Sequence, residues 1–348
     1  MLPLPGDFEW TQLDMDKEED QTQIFHLLRE HYVEDSEGIF RFDYPVEFLK
    51  WTLCTPNYKK EWHIGVRGKE GKKKLVGFIS GTPVKMVING KVIEMAEVNF
   101  LCVHRKLRSK KLAPILIKEI TRRVNLCNVW QAYYTSGSVF PLPFSAAPYF
   151  HRSLNPKKLV EVGFSSLPAK TPMARFMKIH KLPEEPSIVG MRPMEKKDVP
   201  KVHKLLNDYL QKFALHIQFS QEEIGHFLLP REWVIESFVV EEGGKITDFV
   251  SFYCLPSSVL KHETHKILNV AYSYYNVPGK YQMVDLMRDA LIIAKNKGYD
   301  VFNALNIQEN EPIMDELKFG VGDGNLHYYL YNWRVKMLPP KDCGMVLV

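Results

Sequence analysis

The sequence predicts a mixed α/β fold assembled from two similar units, and three observations predict it. One order of elements (helix, strand pair, helix, strand) is written twice, about half a chain length apart. Apolar residues keep helical spacing in some segments and strand alternation in others. A stretch rich in proline and polar residues, 181–187 (Lys-Leu-Pro-Glu-Glu-Pro-Ser), separates the copies, which gives units 1–182 and 188–348.

In the first unit, Asp16 with Glu19 three residues later is a candidate cap, and Ile24, Leu27, Leu28 and Tyr32 follow on one helical face. Strands at 62–67 and 75–80 flank a Gly/Lys turn. A second helix spans 112–124, with Pro114 in its first turn, where the missing N–H costs nothing. Residues 131–135 close the unit as a strand. In the second unit Asp198 precedes Val199, Val202, Leu206, Tyr209 and Leu210 on one helical face. Strands at 238–241 and 247–253 flank Gly243-Gly244, a helix spans 284–296 before Gly298, and 301–305 is the closing strand. An internal duplication sharing one extended sheet satisfies this plan. Two unrelated α/β units would satisfy it too, because the order is common.

Composition narrows the functional classes. The chain has 348 residues, 45% hydrophobic and 25% charged, which is globular and large enough for two domains. No apolar run approaches the ~18 residues of a membrane span, so no stable membrane insertion is expected. Met-Leu-Pro-Leu-Pro lacks the basic and apolar regions of a secretory signal, and it is not the Met-Gly start of a myristoylated chain. Five cysteines (Cys54, Cys102, Cys127, Cys254, Cys343) are scattered and free of CxxC spacing, which predicts a reducing, cytoplasmic compartment without disulfides or zinc. Asp323 in Gly-Asp-Gly lacks the twelve-residue pattern of a calcium loop, so no metal is expected. A net charge of +5 does not imply nucleic acid.

The two units differ at one place. Residues 97–103 (Glu-Val-Asn-Phe-Leu-Cys-Val) alternate as a strand and feed a basic loop, His104-Arg105-Lys106-Leu107-Arg108-Ser109-Lys110-Lys111-Leu112-Ala113-Pro114. The counterpart in the second unit, Tyr-Asn-Val-Pro-Gly-Lys-Tyr-Gln, is nearly uncharged. Free N–H groups at the start of the following helix, with Ser109, Lys111, Lys106 and Arg108 beside them, suit a pyrophosphate. A basic run of this kind also reads as a solvated face or a nuclear-import signal. No GxxxxGK[ST] and no strand-linked GxGxxG occurs, which excludes a Walker loop.

Residues 97–114 resemble a signature of the N-myristoyltransferase family. A second signature, Lys318-Phe319-Gly320-Val321-Gly322-Asp323-Gly324-Asn325-Leu326, is present, as are Tyr149-Phe150-His151-Arg152-Ser153-Leu154-Asn155-Pro156 and Arg41-Phe42-Asp43-Tyr44. The resemblance runs from about Phe8 to Val348. It implies two pseudo-symmetric acetyltransferase-like (GNAT-like) units sharing an extended saddle-shaped sheet, the first binding myristoyl-CoA and the second most of a peptide. The implied reaction moves a fourteen-carbon acyl group from the thioester to an N-terminal glycine amine.

By the same resemblance, the backbone N–H groups of Phe100 and Leu101 would meet the oxyanion. The terminal carboxylate of Val348 would act as base, and Thr135 would orient the amine. The acyl-CoA would be held by Phe100, Leu101, Cys102, Val103, Arg108, Ser109, Lys110, Lys111, Leu112 and Ala113. Peptide contacts would come from Tyr32, Asp35, Phe40, Phe42, Thr135, Gly137, Tyr149, His151, Ser257, Tyr272, Asp323, Leu326 and Leu347. The acidic run at 34–37 would favour basic residues farther along the substrate. Ser36 stands where the family usually carries aspartate, so that preference is expected to be weaker. The family's Phe-Trp-x-Thr-Gln-Pro segment, which helps bind acyl-CoA, would fall upstream of residue 1. A monomer is expected. Two rival classes stay open on sequence: an acyltransferase with another chain length or a lysine acceptor, and a module that binds acyl-CoA or peptide without turnover.

Overall fold

The computed structural model describes residues 2–35, 37–69 and 73–348. Ser36, and with it the expected loss of basic-residue preference, lies outside them. The fold is mixed α/β, built on one 14-stranded sheet. Along its main path the strands run Phe8–Gln12, His63–Gly68, Leu75–Ile88, Lys91–Val103, Gln131–Ser136, Gly320–Tyr331, Ser145–Ser153, Val301–Leu305, Val270–Val277, Lys245–Cys254, Ile235–Glu242 and Met191–Pro193. The strand Gly320–Tyr331, late in the chain, lies between two strands from the first half, so neither half of the sheet is complete without the other.

Two hairpins owe their tightness to residues that accept positive φ. Asn89-Gly90 (φ 49° and 77°) joins the strands Leu75–Ile88 and Lys91–Val103, and Gly243-Gly244 (φ 55° and 78°) joins the corresponding pair in the second half. The strand begun at Leu75 continues past Ser80 to Ile88, eight residues beyond the sequence-based end.

Helices cover both faces. Glu18–His31 packs in one cluster with Phe78, Phe100 and Cys102, while Leu112–Leu126 packs in another with Ile79, Ala96 and Val103. Neighbouring residues of one strand thus point to opposite helices, as pleating requires. Val199–Leu210 and Met283–Asn296 repeat this division in the second half. The Asp16–Glu19 cap does not form. The helix begins at Glu18 behind Lys17, without a side-chain cap, because the Asp16 carboxylate pairs with Lys60 Nζ at 3.0 Å. A second, three-stranded sheet ties Phe40–Phe42 to Ser257–Val259 and Ile267–Leu268, linking the halves away from the main sheet.

Candidate active site

The site begins where parallel strands part. Lys91–Val103 and Gln131–Ser136 pair from Met95↔Gln131 to Glu97↔Tyr133 and no further, although both strands continue. The separation leaves a V-shaped opening with Asn99, Phe100 and Leu101 on one side and Thr135 on the other. The same event recurs in the second half, where Val270–Val277 and Val301–Leu305 pair only as far as Tyr272↔Asn303.

A bulge sharpens the first opening. Phe78 pairs with Cys102 and Ser80 with Asn99, so Phe100 and Leu101 together face Ile79 alone. Phe100 adopts φ 55°, a left-handed conformation that costs a phenylalanine free energy and is held by its surroundings. Its ring is buried against Tyr44 and Tyr32, with centroids 5.3 and 6.0 Å away. The bulge turns the backbone N–H of Phe100 out of the ladder, and it donates to Asn99 Oδ1 at 2.8 Å.

The end of the chain returns to this point. Residues 343–347 are buried, Val346 N donates to the Tyr275 hydroxyl at 3.2 Å, and Asn99 Nδ2 donates to the Val348 carbonyl oxygen at 2.9 Å. Asn99 therefore bridges the Phe100 N–H and the terminal group. Val348 also lines a cavity with Glu97, Tyr133 and Tyr274. Burial raises the Glu97 carboxyl to about 7, and hydrogen bonds from Tyr133 Oη (2.8 Å) and Asn99 offset only part of that rise. Glu223 lines the same cavity, and of its acidic side chains Glu97 is the one raised toward neutrality. Glu97 and Asn99 were not among the sequence-derived candidates. The available signal was their i, i+2 spacing, which sets two polar side chains on one face of the otherwise apolar run 95–103.

Cys102 is buried beside the Leu27 carbonyl, and burial pushes its thiol up to about 12, so it is inert packing. Val103 is buried and Leu101 half-buried. Beyond them, residues Arg105–Lys110 form a 3-10 turn, Lys111 takes φ 57°, and the helix starts at Leu112. Leu112 is buried and Ala113 half-buried, so the side chains of Ser109, Lys110 and Lys111 are the ones exposed around the helix start. Arg108 is committed elsewhere. Its Nη2 donates to the His31 carbonyl at 2.7 Å, and Arg105 reaches the Glu30 carbonyl at 2.6 Å, so both secure the last turn of the preceding helix. Among the described residues no ion pair engages Lys106, Lys110 or Lys111, which leaves them free to meet an anion.

A second group surrounds the other opening. Tyr272, Asn303, His151 and Gly320 occupy one row across four strands. His151 Nδ1 meets Asn303 Oδ1 at 2.6 Å, and burial lowers the imidazole pKa, so the ring is neutral at pH 7 with Nε2 turned toward Gly322. A bulge sets Gly322, Asp323 and Gly324 opposite Tyr149, and Leu326 pairs with Ala147. Phe164 meets both Phe40 (5.7 Å) and His151 (5.3 Å) edge-to-face, while Ser257 pairs with Phe42. Tyr272 stacks on Tyr253, whose hydroxyl reaches the Leu347 carbonyl at 3.5 Å, joining this group to the tail.

Gly137 and Asp35 sit apart from both groups, whereas Asp323 lies at the surface of the second one. Gly137 is exposed beyond the Thr135 strand, and Asp323 is exposed. Asp35 folds its carboxylate onto the N–H groups of Ile39 (2.8 Å) and Phe40 (2.6 Å). Its neighbour Glu34 is paired to Arg41 (2.7 Å) and Arg105 (3.3 Å), so part of the acidic run is already neutralised.

Comparison with known proteins agrees with this geometry. Residues 1–147 match the model of the myristoyl-CoA:protein N-myristoyltransferase N-terminal domain, and residues 161–344 match the C-terminal domain. The chain is 52% identical to glycylpeptide N-tetradecanoyltransferase 1 of Arabidopsis thaliana, over 99% of this chain and 80% of that one. It is also 52% identical to the Drosophila melanogaster glycylpeptide N-tetradecanoyltransferase, over 99% and 73%. The fold superposes on Saccharomyces cerevisiae N-myristoyltransferase with bound myristoyl-CoA at a TM-score of 0.95, with 42% identity, covering 100% of this chain and 87% of that one. A GCN5-related N-acetyltransferase from Anabaena variabilis shares the fold at 11% identity and a TM-score of 0.53. With both halves matched and half of all residues identical along nearly the whole chain, the protein belongs to the myristoyl-CoA:protein N-myristoyltransferase family.

Proposed function

We propose that the enzyme transfers a myristoyl group from myristoyl-CoA to the N-terminal glycine amine of a peptide at the Asn99–Val348 junction. The observation that carries this is the double role of Asn99, whose amide touches both the bulged N–H of Phe100 and the terminal carbonyl of Val348. The amine nitrogen attacks the thioester carbonyl carbon, the carbonyl π bond shifts to oxygen, and collapse forms the amide and expels the CoA thiolate. The N–H of Leu101, and that of Phe100 once it exchanges Asn99 Oδ1 for the substrate, receive the oxyanion, a contribution of roughly 3–4 kcal/mol for one such donor. The Val348 carboxylate takes the amine proton. With an α-amine pKa of about 7.7–8.0, that transfer needs no strong base. Thr135 holds the amine, and Glu97 is a second proton acceptor in the same cavity.

The CoA pyrophosphate is held by Ser109, Lys110, Lys111 and the first turn of the helix they precede. The peptide follows Tyr149, His151, Tyr272, Ser257 and Leu326, with Phe40, Phe42 and Tyr32 flanking it. Residues 1–182 then form the acyl-CoA unit and 188–348 the peptide unit. The protein works as a cytoplasmic monomer that needs no nucleic acid. Scattered free thiols support that compartment, and no helix among the described residues is long and apolar enough to cross a membrane.

Incubation with myristoyl-CoA and a glycine-initiated peptide tests the reading. Release of CoA thiol with a peptide mass gain of one myristoyl group is expected. Thermal stabilisation by myristoyl-CoA without product, or equal turnover with acetyl-CoA, would overturn it.

A further inference from the structure

An exposed apolar cluster stands on the loop that follows the Thr135 strand, beyond Gly137. The loop 137–144 (Gly-Ser-Val-Phe-Pro-Leu-Pro-Phe) leaves Val139 71%, Phe140 51% and Leu142 90% exposed, three large apolar groups within four residues. Isolated exposed apolar residues need no explanation, but a cluster does. This cluster is held rigidly. The Tyr329 hydroxyl accepts from Phe140 N at 2.7 Å and donates to Phe140 O at 3.1 Å, and prolines at 141 and 143 limit the backbone further. Leu142 is set at φ 66° within this frame. A loop that could fold its apolar side chains inward is instead fixed with them outward.

The segment 331–338 runs beside it, since Leu338 N donates to the Phe144 carbonyl at 2.7 Å and Ser145 Oγ donates to the Leu338 carbonyl at 2.9 Å. Within that segment Trp333 and Val335 pack on the core, while Arg334 and Lys336 face solvent and Met337 is 77% exposed. Residues 137–144 contain no charge, and between 331 and 340 the only charged residues are Arg334 and Lys336. The surface therefore joins an uncharged apolar loop to a neighbouring segment whose charges are both cationic.

We propose that this surface docks the protein peripherally on an anionic phospholipid membrane, with Val139, Phe140 and Leu142 entering the headgroup boundary and Arg334 and Lys336 meeting lipid phosphates. An exposed apolar loop matches a fluid bilayer, into which apolar side chains can sink, whereas a protein partner would have to offer a matching groove. The cations supply the charge complementarity, and an aromatic ring at the tip suits the membrane interface. Shallow docking of this kind adds no spanning element and is reversible.

The test is co-sedimentation of the full chain with phosphatidylcholine vesicles, with and without phosphatidylserine. Binding is expected only where phosphatidylserine is present and should fall as salt rises. Leu142→Asp should abolish it. Arg334→Glu and Lys336→Glu, which replace exposed side chains, should each weaken it at least fivefold. All three variants should keep wild-type turnover of a soluble peptide and wild-type melting temperatures, which separates docking from misfolding and from the catalytic reading. Absence of vesicle binding by the wild type, equal binding to neutral vesicles, or binding untouched by Leu142→Asp would each overturn the proposal.

Discussion

Glu97 is the residue at which pH and structure meet most directly. Its carboxyl is raised to about 7 in the fold, chiefly by burial, from the 4.5 of an unfolded chain. Between those values the folded state holds a proton that the unfolded state has released, so rising pH removes stability there, by at most about 3 kcal/mol. Glu97→Gln should abolish this slope. The expected result is a wild type whose urea midpoint falls relative to the variant between about pH 5 and about pH 8, and parallel profiles would contradict a buried carboxyl. Gly322 makes a steric demand instead. A Cβ there would overlap His151 Nε2 and stand 3.1 Å from the Tyr149 carbonyl. His151 cannot swing away without losing Asn303, so Gly322→Ala should raise the peptide KM tenfold or more at a stability cost of about 1–3 kcal/mol. Myristoyl-CoA affinity, read by titration, should not change. The Gly-Val-Gly-Asp-Gly run was conspicuous in sequence, but the reason for its second glycine was not, because the imidazole it accommodates lies 171 positions earlier.

At the scale of elements, periodicity carried most of the information. The helices Leu112–Leu126 and Met283–Asn296 lie within two residues of their expected bounds because each buries one apolar stripe and stops at a recognisable end. The cap at Asp16 failed for a tertiary reason, since Lys60, forty-four positions later, claims that carboxylate. The short strands Leu215–Ile217 and Cys343–Gly344 were illegible because they pair with each other across the chain and carry no pattern of their own. The basic loop was legible as an anion site, yet its arginines are not equivalent to its lysines. Arg105 and Arg108 hold helix carbonyls, whereas Lys111 stands exposed at the helix start. Lys111→Ala should therefore raise the KM for myristoyl-CoA about three- to tenfold and leave the peptide KM alone. Arg108→Ala should instead lower the melting temperature by loosening the end of Glu18–His31. An effect of Lys111→Ala confined to peptide affinity would move the phosphate site elsewhere.

Across the whole molecule, the decisive feature is a tail that crosses from the last residues of the chain to a strand 249 positions earlier. Its path is tightly built. A Cβ on Gly344 would come within 2.8 Å of both His216 and Phe213, and Met345, Val346 and Leu347 join the core cluster that also contains Phe100 and Tyr328. Because residues 343–347 are locked, the carboxylate proposed as base at Val348 has a fixed address, and one added residue cannot be absorbed upstream. The new terminus would be carried about 3.5 Å onward, past the Asn99 amide and out of reach of an amine held at Thr135. General-base assistance is worth typically 10²–10⁴-fold, so a single glycine appended after Val348 should cut kcat by about that factor while the myristoyl-CoA KM stays within about twofold. Val348→Ala is the companion, since it trims the side chain but keeps the carboxylate in place, and it should retain most turnover. If the extended chain turns over at the wild-type rate, the carboxylate is not the base, and Glu97 becomes the group that accepts the proton.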